Sequence, residues 1–175
     1  MNTSSLALLF MFTITLHNIE EALWLPQWSN YTGKYHKPVE RNEFYFALIV
    51  ITAFAYLISA LFMFFPKILF LKFLFVGYVG TMIINVFFPH FIATILLKRY
   101  APGLITGMLI NLPLNGLIIF SMHKDKIISL FEVIFSTMIV AIILLISLPL
   151  LFQIGRKLTG SKNQECESIK GNRPR

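Results

Sequence analysis

The chain has 175 residues, of which 57% are hydrophobic and only 13% charged, and its mean hydropathy is +0.74. That balance excludes an ordinary water-soluble domain and places the chain in the membrane class. The formal net charge of +7 does not indicate nucleic acid, because the basic residues sit in short segments between long apolar runs rather than along one surface.

A helix needs about 20 mostly apolar residues to cross a hydrocarbon core about 30 Å thick. Five segments qualify: Leu6 to Leu25, Phe44 to Phe65, Ile68 to Leu97, Leu104 to Met122 and Ile127 to Ile154. The expected fold is therefore all-α, a polytopic bundle of about five transmembrane helices in one domain, followed by a basic, disordered cytoplasmic tail over 156–175. The first run reads as a retained helix rather than a cleaved signal peptide. Met1 to Ser5 holds no Lys or Arg, no small-residue cleavage site follows, and the run ends in Glu20, Glu21 and Trp24.

That first helix carries the chain's most informative pattern. His17 precedes Glu20 by three residues, Glu21 by four and Trp24 by seven, so all four share one helical stripe. An ionisable side chain at the centre of a bilayer costs about 2.5–3.5 kcal/mol on insertion scales and usually faces a bundle interior. The stripe is thus expected to face protein. Pro26 closes the first helix, and the loop to Glu43 is the longest inside the chain. Trp24 and Trp28 suit an aromatic belt at the interface, and His36 in the loop suits solvent.

Pro66 separates the second span from the third. Near the start of the third, Lys72 can snorkel or mark the helix start. Farther along come Asn85, His90 and Thr94. His17 lies nine residues before Pro26 and His90 eight before Lys98, or about 13 Å and 12 Å along a helix from the same membrane face. His90 is therefore the natural partner of the first-helix cluster, with Thr94 one turn beyond it. Asn85 lies about 140° around a regular helix from His90, which favours a supporting role over direct ligation. Pro102 and Gly103 open the fourth span, where Thr106 reaches the same depth. Asn111 and Asn115 share a face there, either bonding between helices or lining a deeper part of the same cavity, and Pro113 between them should loosen the helix. Lys124 and Asp125 lead to the fifth span, with Glu132 near its start; His123 at that boundary suits solvent, and Cys166 is an isolated tail thiol.

An odd number of spans puts the termini on opposite faces. With the C-terminus inside, eleven of the fifteen basic residues are cytoplasmic: Lys34, Lys37, Arg41, Lys98, Arg99 and six from Arg156 onward. The positive-inside rule then favours an outside N-terminus and a cytoplasmic C-terminus, and the expected location is the plasma membrane. The basic tail is expected to touch anionic lipid headgroups.

The ordered set of His17-Asn18-Ile19-Glu20-Glu21, Pro26, Trp28, Asn85, His90, Pro102-Gly103, Thr106 and Pro113 resembles the HXXEE family of membrane proteins. The resemblance implies a multi-span protein and carries no biochemical activity with it.

The residues admit several chemistries. His-x-x-Glu-His hydrolase motifs use positions i and i+4 as metal ligands and the intervening Glu as base. By that analogy His17, Glu21 and His90 would hold a divalent metal such as zinc, Glu20 would be the catalytic base, and Asn85, Thr94, Thr106 and Asn111 would support the site or line a substrate pocket. A metal-free pair of carboxyls beside a histidine would instead run acid/base chemistry on a lipid-soluble substrate. A proton or ion path is a further option, as is a non-enzymatic membrane subunit. In a purely structural reading Glu21 bonds His17, Glu20 reaches water or Lys34, Lys37 or Arg41, and His90 bonds Thr or Asn across helices.

Overall fold

A computed structural model describes residues 2–32 and 39–171, with the backbone alone for residue 32 and residues 160–171. The chain is 88% helix, without strands among the described residues, and five helical spans are long and apolar enough to cross a membrane. Asn2 caps the first, α1 (Thr3–Trp28), by accepting from Ser5 N at 2.7 Å, as N-caps do. A short turn, Ser29–Thr32, follows, and then α2 (Arg41–Phe64).

The third and fourth spans are both broken. The third is α3 (Leu69–Asn85), a wide π-type turn over Val86–Phe91, and α4 (Ile92–Leu97). The cause is Pro89. It brings no N–H to the helical ladder and drives the residue before it out of the helical region, and Phe88 has φ −129° and ψ 116°. The fourth span is α5 (Leu104–Thr106), a second π-type turn over Gly107–Asn111, and α6 (Leu112–Lys124). Here Pro113 withholds the N–H that the carbonyl four residues earlier needs, and the backbone widens just before it.

The fifth span, α7 (Leu130–Gly171), begins later than hydropathy alone suggests because Ser129 and Glu132 form a capping box. Ser129 N donates to Glu132 Oε2 at 2.8 Å and Glu132 N to Ser129 Oγ at 3.2 Å. Lys72 also marks this end, donating to Ile127 O at 3.0 Å and pairing with Glu132 at 3.3 Å. At the opposite end Arg156 forms a two-point pair with buried Glu43, at 2.6 and 3.1 Å. The α7 backbone continues into the region that composition assigns to a tail; residues 172–175 and the side chains from 160 onward lie outside the described residues.

The apolar stretch of the first span is half buried and that of the third 44% buried, against 17% for the fifth, so the first and third spans form the centre of the bundle. Phe62 stacks on Phe75 at 4.5 Å and Phe10 meets Phe75 edge-on at 5.6 Å, filling one half of the bundle with apolar packing. Along α3, Gly80 lies so close to α7 that a Cβ there would stand 1.9 Å from Thr137 Oγ1, the close approach that small residues permit between membrane helices. The other half of the α1 interface is polar, and the histidines lie there.

Candidate functional site

His17 and Glu21 are one turn apart on α1, with Nε2 and Oε1 separated by 3.4 Å. The π-type turn of the third span delivers His90 to the same carboxylate, Nε2 to Oε1 at 2.8 Å. Three ligand-type atoms, one from each of His17, Glu21 and His90, lie within 4.8 Å of one another. Both imidazoles are almost wholly enclosed, at 0% and 2% exposure, and their rings meet edge to face at 5.1 Å.

Asn85 joins this group more directly than a regular helix allows. Its Nδ2 lies 2.9 Å from His17 Nε2 and 3.2 Å from His90 Nε2. The calculated 140° offset assumes an unbroken helix from Asn85 to His90, and the non-helical Phe88 between them removes that assumption.

Glu20 leaves α1 about 100° around from Glu21 and enters a different environment. Its Oε2 accepts from Thr106 N at 2.8 Å and from Thr106 Oγ1 at 2.5 Å. Its Oε1 accepts from Gly103 N at 2.8 Å and from the Tyr100 hydroxyl. These partners all come from the segment that opens the fourth span. The structural alternative that paired Glu20 with Arg41 or water therefore differs from what is seen, and Lys34 and Lys37 lie outside the described residues. His17 stands between the two carboxylates, since its Nδ1 lies 3.3 Å from Thr106 Oγ1.

The other predicted residues surround this centre at different distances. Thr94 is a brace: its hydroxyl donates to His90 O at 2.9 Å and accepts from Ala101 N at 3.0 Å, tying α4 to the next loop. Asn111 is fully buried, accepts from Asn115 Nδ2 at 3.2 Å and leaves its own Nδ2 without a partner. Asn115 continues the row to Thr13, 3.2 Å away on α1. Trp24 is 52% exposed, so it sits at the margin of the stripe, outside the buried group. His123 Nδ1 contacts Ile128 O at 3.0 Å near the far end of α6, and His36 lies outside the described residues.

Two residues escape sequence reasoning. Tyr100 resembles any interfacial tyrosine until the fold brings it to Glu20. Gly103 has φ +95°, and a Cβ there would lie 2.5 Å from His90 Cε1 and 2.8 Å from its Nδ1. Its glycine is thus required twice, by backbone conformation and by the ring packed against it. The Pro102-Gly103 pair signals the turn but not this contact.

Glu21, Asn85 and His90 also form part of the wall of a cavity of about 280 Å³. The rest of that wall is largely apolar and includes Phe44, Ile51, Met82, Leu144, Leu148 and Phe152. The centre therefore presents its polar face to a hydrocarbon-lined space between α1, α2, the third span and α7.

No solved structure matches the chain. An uncharacterised protein of Bacillus subtilis (strain 168), YrkK, is 52% identical over 150 residues, covering 86% of this chain and 95% of that protein. The family described as "Protein of unknown function with HXXEE motif" matches residues 8–118, a stretch that holds the motif, the breaks of both broken spans and the whole His/Glu centre. The chain belongs to this HXXEE family.

Proposed function

We propose that His17, Glu21 and His90 bind a divalent cation such as zinc within the membrane, and that this centre acts on a lipid-soluble substrate held in the adjoining cavity. One observation carries the reading: three ligand-type atoms, from His17, Glu21 and His90, converge within 4.8 Å, and two of these residues, Glu21 and His90, line a largely apolar cavity. Tetrahedral zinc, with bonds of about 2.0–2.1 Å, needs ligand atoms about 3.3 Å apart. The His17–Glu21 separation of 3.4 Å meets that, and the His90–Glu21 separation of 2.8 Å needs a small widening. Three protein ligands leave a position open, the pattern of catalytic rather than structural zinc sites. A bound cation there would supply a Lewis acid.

The size and lining of the cavity support an apolar substrate. An engineered apolar cavity of about 150 Å³ holds benzene, so 280 Å³ suits a hydrocarbon segment of about a dozen carbons with its reactive end at Glu21 and His90. The basic residues near the site's membrane face favour a plasma-membrane protein with its N-terminus outside. In that arrangement the tail would meet anionic headgroups.

A second reading rests on the same 2.8 Å contact, which is a hydrogen-bond length. His90 and Glu21 would then form a metal-free acid/base pair. Measuring bound metal in detergent-purified protein, after growth in metal-replete medium, separates the two. The metal reading expects near-stoichiometric metal that is lost in His90→Ala and Glu21→Gln. Substoichiometric metal in both wild type and His17→Ala would overturn it.

A further inference from the structure

The two glutamates of the motif do not share one chemistry. We propose that Glu20 is a positioning residue, acting through the Thr106 hydroxyl to hold the His17 proton on Nδ1 and so present Nε2 as a lone pair to the cation. This rests on the metal reading for its purpose but on separate geometry for its logic.

A threonine hydroxyl has one proton and two lone pairs. Thr106 Oγ1 stands 2.5 Å from Glu20 Oε2, an oxygen that also accepts from Thr106 N. A carboxylate oxygen that accepts from its neighbours draws the hydroxyl proton toward itself. Thr106 Oγ1 then has only lone pairs to offer His17 Nδ1 at 3.3 Å, and the contact is a hydrogen bond only if Nδ1 carries the proton. In a neutral imidazole this leaves Nε2 bare.

The surroundings of Nε2 agree with that assignment. The Asn85 amide nitrogen, 2.9 Å away, can donate to a bare Nε2. Glu21 Oε1, 3.4 Å away, is another acceptor, and with Nε2 bare the two lone pairs leave a place for a cation between them. Metal-binding histidines typically have the second ring N–H held by a carboxylate, carbonyl or water. Here the holder is Thr106, itself fixed by Glu20 from the same turn of α1. Glu20 in turn is locked by Gly103 N and the Tyr100 hydroxyl on one oxygen and by Thr106 N on the other, so each of its carboxylate oxygens is anchored to a backbone N–H. With both oxygens occupied, Glu20 is poorly placed as the base that motif analogy assigns to it, and positioning is the role its contacts support.

The test uses full-length protein in detergent and cobalt(II) as the probe ion, read by its visible absorption. Thr106→Val keeps the shape and removes the hydroxyl, and should weaken cobalt binding about 10- to 100-fold, the usual cost of losing such a partner. Thr106→Ser should restore it. Nitrogen-15 histidine spectra of the metal-free wild type should show the His17 proton on Nδ1, and Thr106→Val should release that preference. A proton found on Nε2 in the wild type, or Thr106→Val binding cobalt as tightly as wild type, overturns the proposal. If the wild type binds no cobalt, the metal reading fails and the histidine spectra still decide the relay. If Thr106→Val does not fold, wild type and Thr106→Ser supply the deciding spectra.

Discussion

Gly103→Ala perturbs the junction of Glu20's anchor and the His90 ring with a single methyl group. The residue's φ of +95° charges any Cβ-bearing residue about 1–2 kcal/mol. The new methyl would also stand 2.5, 2.8 and 2.9 Å from three atoms of the His90 ring, an overpacking that typically costs about 1–3 kcal/mol. Relief is hard to find. The ring is 2% exposed and held by Glu21 at 2.8 Å, while shifting the loop instead breaks the 2.8 Å bond from Gly103 N to Glu20. The sum is about 2–5 kcal/mol, and for a chain of this size each kcal/mol lowers Tm by about 2–4 °C. Thermal unfolding in detergent should therefore show a fall of at least about 4 °C, and cobalt titration a weaker centre. A variant with wild-type Tm and wild-type cobalt affinity would show that the loop does not pack on His90 as described.

Other perturbations probe the fold and the centre separately. Gly80→Ala forces its methyl onto Thr137 and should cost about 1–3 kcal/mol by overpacking. Gly116→Ala meets nothing within 4 Å and should be neutral or stabilising by up to about 1 kcal/mol; the same Tm change in both variants would contradict the α3–α7 packing. Glu43→Gln and Arg156→Ala should each lower Tm, with the double variant falling by less than their sum, because both remove one two-point pair. Strict additivity would show that the pair does not couple the ends of α2 and α7. Asn85→Leu removes an amide nitrogen that competes with a cation for both Nε2 atoms and should strengthen cobalt binding while the fold survives, as judged by size-exclusion profile; weaker binding would show that the amide supports the bound centre instead.

Much of this arrangement is legible in the sequence because lipid simplifies the reasoning. Long apolar runs can only be helices, and depth can be counted in residues from each boundary, which is how His90 can be paired with His17 before any fold is known. The reasoning weakens where helices break. A regular 3.6-residue turn carried across Phe88–Pro89 sets Asn85 apart from His90, although a proline in mid-span warns of a break. Tyr100 and Gly103 were beyond reach for another reason: their importance comes from the tertiary approach of the fourth span to α1, and no local pattern encodes it. Glu43 and Arg156, 113 positions apart, are a pair of the same kind.

One helix start and one helix break also explain why two adjacent glutamates serve the motif. Non-helical backbone at membrane depth survives only where other groups replace its missing hydrogen bonds, since each unsatisfied group costs several kcal/mol in lipid. The start of the fourth span presents the N–H groups of Gly103 and Thr106 to the bundle, and Glu20 accepts from both at 2.8 Å. The adjacent Glu21, about 100° around the helix, faces the break in the third span and meets His90. His17, three residues before one and four before the other, is the position on α1 from which a side chain reaches both. It contacts Thr106 on Glu20's side and Glu21 on the other. The spacing His-x-x-Glu-Glu thus matches a helix that must cap the start of one neighbour and build a polar centre against the break in another.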